Sequence, residues 1–69
     1  MKAKEGIAYI LNQMKIHNMA GSENGRRLAK EFVSGLIMMF RAMTSMTAIG
    51  ITDDDLYTGL VVGDEFYAI

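Results

Sequence analysis

The chain has no cysteine, no proline and a single histidine in 69 residues, and it carries no basic residue after Arg41. Without cysteine, disulfides and thiolate metal sites are excluded, and the chemistry is compatible with a reducing cytoplasm. His17 alone cannot build a zinc site without several carboxylate partners. It stands at an expected helix end with no nucleophile in a recognisable motif, so catalysis has no support and no cofactor is expected. The missing bases also split the charge. Residues 1–41 hold seven bases and three acids, a net +4, while residues 42–69 hold five acids and no base, a net −5. Such polarity can steer head-to-tail contacts between copies or aim a basic end at an anionic ligand.

A chain below about 70–80 residues seldom builds a core that is stable alone, and the usual remedies are disulfides, a metal or oligomerisation. With the first two disfavoured, a homo-oligomer is expected. Residues 32–51 are apolar enough to suggest a membrane span, but Arg41 sits centrally among four Ser/Thr hydroxyls. A central arginine costs roughly 2.5–3.5 kcal/mol on insertion scales, so the reading is a soluble protein with no membrane partner.

No proline interrupts residues 28–49, and Leu28, Phe32, Leu36, Met39, Phe40, Met43 and Met46 recur at helical spacing. A second line through Glu31, Gly35, Met38, Ala42 and Ser45 has small side chains that let another backbone approach. The polar face is thin: Lys30, Ser34 and Arg41, with Ile37 among them. Ahead of this segment, Ala3, Ile7, Ile10, Leu11 and Met14 predict a first helix over residues 3–17. Ser22 suits an N-cap, with Glu23 in the positive first turn, so the long helix is expected over 22–49. Gly50 would close it, and Thr52 would cap a third helix over 52–62 with Asp53, Asp54 and Asp55 in its first turn. An apolar tail, 64–69, would follow. The aspartate run lacks the spacing and distal glutamate of a calcium loop, so no metal site is expected. The expected fold is therefore one all-α domain over 1–69, a helical hairpin plus a short third helix, assembled as a homo-oligomer. Its interface would use Gly35, Met38, Ala42, Phe66 and Tyr67.

Two basic features are candidates for binding. Arg26, Arg27 and Lys30 cluster near a helix start, where positive side chains are mildly unfavourable unless an anion brings them together with the free backbone N–H groups. Arginine adds planar, bidentate recognition of phosphate. Arg41 stands in an apolar helix with no acid three or four residues away, so a carboxylate from the acidic half or an anionic ligand is the expected partner. Tyr9, outside the main stripe of the first helix, could stack on a ligand. A DNA-binding role is disfavoured by the negative net charge and the apolar second helix.

The run Gly35-Leu-Ile-Met-Met-Phe-Arg-Ala-Met43, preceded by Ala29-Lys30, resembles the last helix of the helical-hairpin sponge proteins of phages. Those proteins counter cyclic-nucleotide defence signalling of the CBASS and Thoeris systems in bacteria. The resemblance covers residues 29–43. It implies a non-enzymatic oligomer that sequesters a cyclic oligonucleotide between protomers, with Arg41 at the family's arginine position as a phosphate contact. The chain lacks the family's longer N-terminal extension and adds the acidic third segment. The functional expectation is a phage-type counter-defence protein in the cytoplasm, holding an anionic nucleotide through Arg26, Arg27, Lys30 and Arg41 with Tyr9 stacking. The alternative is a small adaptor or inhibitor that binds a host protein through the apolar helix and the acidic C-terminal segment.

Overall fold

The computed structural model describes residues 2–69 and shows an α+β fold. Helix α1 spans Ala3–Met19 and helix α2 spans Glu23–Thr44. Three strands follow, β1 (Ala48–Asp53), β2 (Leu56–Val62) and β3 (Glu65–Ala68), in one antiparallel sheet of order β1-β2-β3. The two helices form a hairpin laid over one face of this sheet, α1 over β2 and α2 over β1.

The sheet overturns the all-α expectation, and each part of the misreading has a local cause. Helix α2 stops at Thr44 instead of running to residue 49. Ser45 adopts a left-handed conformation (φ 59°) and its N–H bonds the Arg41 carbonyl at 2.9 Å, while the Thr44 hydroxyl donates to the Phe40 carbonyl at 2.7 Å. Hydroxyl side chains compete in this way with the helical ladder. Beyond that stop, Ala48-Ile49-Gly50-Ile51 alternates between the two faces of a strand, and β-branched residues favour that state. The expected helix 52–62 is in fact the end of β1, a turn and β2. Asp54 and Asp55, both at positive φ (53° and 68°), form the two-residue turn, a conformation that aspartate tolerates better than most side chains. Gly63, at φ 59°, opens the second turn with Asp64, and the expected apolar tail 64–69 holds strand β3.

The core lies between the layers. Ile7, Ile10 and Met14 of α1 meet Val33, Ile37 and Phe40 of α2, and the sheet supplies Ala48, Tyr57, Leu60 and Val62. The inward face of α2 is thus not the stripe that its methionines suggest. Ile37, flanked in sequence by the polar face, is buried, whereas Leu28, Phe32, Met39 and Met43 are on the outside. A register slip between Ile51 and Thr52, which leaves Thr58 unpaired, sets Tyr57 on the same inner face as Leu60. Gly50 makes room for it. A Cβ there would lie 3.1 Å from the Tyr57 ring and 3.3 Å from Ile37 and Met14.

The helical layer is fastened to the sheet by Asn18. Its Nδ2 donates to the Tyr57 carbonyl at 2.8 Å and its Oδ1 accepts from the Tyr57 N–H at 2.9 Å. Replacing Asn18 by alanine strands both backbone groups in a partly buried place, and the expected loss is about 2 kcal/mol in chemical denaturation. Asn12→Ala, on the exposed side of α1, should change stability by less than about 0.5 kcal/mol. Equal effects would contradict this role for Asn18.

Burial raises the Tyr57 phenol above the usual tyrosine value, the Ser34 hydroxyl partly offsets that shift and the Asp55 charge adds to it. The folded state therefore keeps the proton longer than the unfolded chain does. Stability is full below the unfolded tyrosine range, near pH 10, and falls as pH rises through the folded value. Tyr57→Phe should flatten part of that alkaline decline in denaturation curves taken across this range. An unchanged slope would remove Tyr57 as its source.

Candidate anion-binding cleft at the start of helix α2

Helix α2 begins at a hydroxyl cap. Ser22 is extended, its Oγ accepts from the Gly25 N–H at 3.0 Å, and its carbonyl accepts the first helical bond from Arg26. The first N–H groups of a helix have no partner within it, so those of Glu23 and Asn24 remain available at the positive end of the helix dipole. One turn further on are the three cations. Arg26, Arg27 and Lys30 line a cleft of about 300 Å³ together with His17, Glu23, Asn24 and Asp55.

The cations differ in what already holds them. Lys30 pairs with Asp55 at 3.4 Å, both side chains being well exposed, so the contact contributes little to stability but ties the cluster to the β1–β2 turn. Arg26 is half-buried and its Nη1 donates to the Ala20 carbonyl at 3.3 Å. Arg27 is exposed and, among the described residues, has no ion pair with Glu23 or Glu31. It is the cation most free to meet a ligand.

His17 contributes what the sequence did not reveal. It is not a surface residue: it is only 1% exposed, and its ring meets Tyr57 edge-on at 4.8 Å and 70°. Its Nδ1 lies 2.9 Å from Asn18 Oδ1. The clamp on Tyr57 requires that atom to be the amide oxygen, because it accepts a backbone N–H while Nδ2 donates to a carbonyl. An amide oxygen only accepts, so Nδ1 carries the proton in neutral His17. Nε2 is then left as a lone pair, buried and without a partner. A buried polar atom of this kind normally has a partner, and His17 is among the residues that line the cleft; a bare lone pair accepts hydrogen bonds, so it takes no part in holding an anion.

The remaining sequence candidates fall elsewhere. Arg41 is exposed, which removes the burial cost that made a partner seem necessary. It lines a separate cleft with Met38, Ala42, Ser45, Met46 and Thr47. At a helical rise of 1.5 Å, the fourteen residues from Arg27 place it about 21 Å away along α2. Tyr9 lines a groove between the helices with Ile10, Leu36, Met39 and Phe40. Of the interface candidates, Gly35, Met38 and Ala42 are exposed on α2, Phe66 is exposed on the outer face of the sheet and Tyr67 is half-buried against the core. The Tyr67 hydroxyl donates to Glu65 at 2.8 Å. Among the described residues no group of His, Asp and Glu is placed to hold a metal ion, and no helix is long and apolar enough to cross a membrane.

No protein-family model, no curated protein and no solved structure matches the chain.

The tautomer of His17 is directly measurable. Long-range nitrogen-15 spectra of the neutral ring should show a protonated Nδ1 and a bare Nε2. A ring protonated at Nε2 would contradict the relay from Tyr57 through Asn18.

Proposed function

We propose that this chain is a non-enzymatic cytoplasmic binding protein that holds a phosphate-bearing small molecule in the cleft at the start of α2. The observation that carries this reading is the convergence there of Arg26, Arg27 and Lys30 with the helix N-terminus. Counted with Glu23 and Asp55, the cleft has three positive and two negative side chains, and a net positive site that also offers backbone donors favours an anion. Arg27 is the principal phosphate contact, Arg26 the second. Lys30 contributes its charge from the pair with Asp55.

The resemblance over residues 29–43 supplies the ligand class, a cyclic nucleotide signal, and with it the counter-defence role in a phage. The sheet departs from the helical-hairpin architecture of that family, so the resemblance supports the class of ligand and not its placement. Arg41 and Tyr9 stand outside the cleft within one chain, and neither is needed for the phosphate contact proposed here. A second reading, docking on a protein, is favoured by a different observation: Leu28, Phe32, Met39 and Met43 lie exposed on one side of α2.

The test is thermal unfolding of the full chain against inorganic phosphate and a panel of cyclic di- and trinucleotides. At 100 times its dissociation constant a ligand adds about 2.7 kcal/mol, a large shift in so small a domain. Arg27→Ala, at an exposed position, should leave the unliganded stability unchanged and weaken binding by about tenfold or more. Failure of every anion to stabilise the protein, or an Arg27→Ala protein that binds as well as the original, would overturn the reading.

A further inference from the structure

The molecule is thin, with Cα extents of 33 × 18 × 15 Å, and both of its outer faces are apolar. On the helical side Leu28, Phe32, Met39 and Met43 follow one another at spacings of four and seven residues, and Phe32 and Met39 are 51% and 55% exposed. On the far side of the sheet stand Ile49 and Phe66, 60% and 55% exposed, with Ile51 beside them. The strands themselves record this. A strand with one wet face alternates apolar and polar residues, whereas one covered on both faces reads as a continuous apolar run. Ala48-Ile49-Gly50-Ile51, Leu60-Val61-Val62 and Phe66-Tyr67-Ala68 are runs of the second kind. In the single chain only the face toward α1 and α2 is covered.

The charges decide what covers the other. The helical layer, through Arg41, carries seven basic and three acidic side chains; the part that contains the sheet carries five acids and no base. Pairing like layers sets a net +4 beside +4, or −5 beside −5 with the acids at the sheet's turns. Laying the helical face of one copy on the outer sheet face of the next sets opposite charges together and gives the sheet helices on both sides.

We propose that the chain associates head to tail, the α2 face around Phe32 and Met39 docking on the outer sheet face around Ile49 and Phe66 of a second copy. This contact is heterologous, so it closes into a ring or continues as a stack. It leaves the cleft at the start of α2 outside the contact residues named, and it stands or falls independently of anion binding.

The experiment is solution mass of the full chain and of two variants, Phe32→Glu and Ile49→Glu, each at an exposed position and each checked for its fold by circular dichroism. The original protein should exceed its chain mass of 7.7 kDa. Each variant alone should be monomeric, because each lacks one half of the contact. Mixed in equal amounts they should form a heterodimer that grows no further, since one supplies the intact sheet face and the other the intact helical face. Met39→Glu and Phe66→Glu provide the same pair should either first variant fail to fold. A monomeric original protein would overturn the proposal and leave the faces to a different partner. Loss of assembly in one variant with full assembly in the other would overturn it in favour of like-face pairing, and so would a mixture that stays monomeric.

Discussion

The two hydrogen bonds between the Asn18 amide and the backbone of Tyr57 join residues 39 positions apart, and the remaining geometry is arranged around them. They tie the last turn of α1 to the first residues of β2, which sets how the hairpin lies across the sheet. They also bring the Tyr57 ring over Gly50, where only a residue without a side chain leaves room for it. On the other side, the same amide oxygen accepts a hydrogen bond from the His17 Nδ1–H and so decides which ring nitrogen is left bare beside the cleft. A single asparagine thus links the order of the core to the electrostatics of the candidate site.

Parts of this architecture were legible in the sequence. The stripe of Ile7, Ile10 and Met14 is the buried face of α1, and Ser22 is the cap that its residue type suggests. The clustering of Arg26, Arg27 and Lys30 near a helix start also corresponds to a cleft in the fold. What was hidden follows from an excess of apolar residues. Helix α2 has apolar side chains on two faces, so periodicity alone could not tell the buried Val33, Ile37 and Phe40 from the exposed Phe32, Met39 and Met43. The strands are apolar on both faces as well, which blurs the alternation that would distinguish them from helix. The signals that could have separated the two states were the turn dipeptides, Asp54-Asp55 and Gly63-Asp64, each set between β-branched and aromatic residues. Three consecutive aspartates also suit the positive first turn of a helix, which is what led to a helix being expected there. His17 could not be placed at all from sequence, because its burial depends on a strand 39 or more residues later.

The layered distribution of charge ties the two functional features together. Basic residues are concentrated in the helices, and the acids of the C-terminal part sit in the two turns of the sheet, at Asp53–Asp55 and Asp64–Glu65. Among the described residues the ion pair between them is the exposed Lys30–Asp55. Of the other charged groups, Arg26 is half-buried on the Ala20 carbonyl and Glu65 accepts from the Tyr67 hydroxyl, while Arg27 and Arg41 are exposed.

The proposed site places a phosphate-bearing anion in the cleft that Asn24, Arg26, Arg27, Lys30 and His17 line. Its most direct test is a titration of the nitrogen-15-labelled chain with a cyclic dinucleotide, followed residue by residue in the amide and imidazole spectra. The earliest and largest changes should fall on Glu23, Asn24, Gly25 and Arg27 and on the His17 ring. Changes confined to the distant cleft around Arg41 and Thr47, or none at saturating ligand, would contradict it.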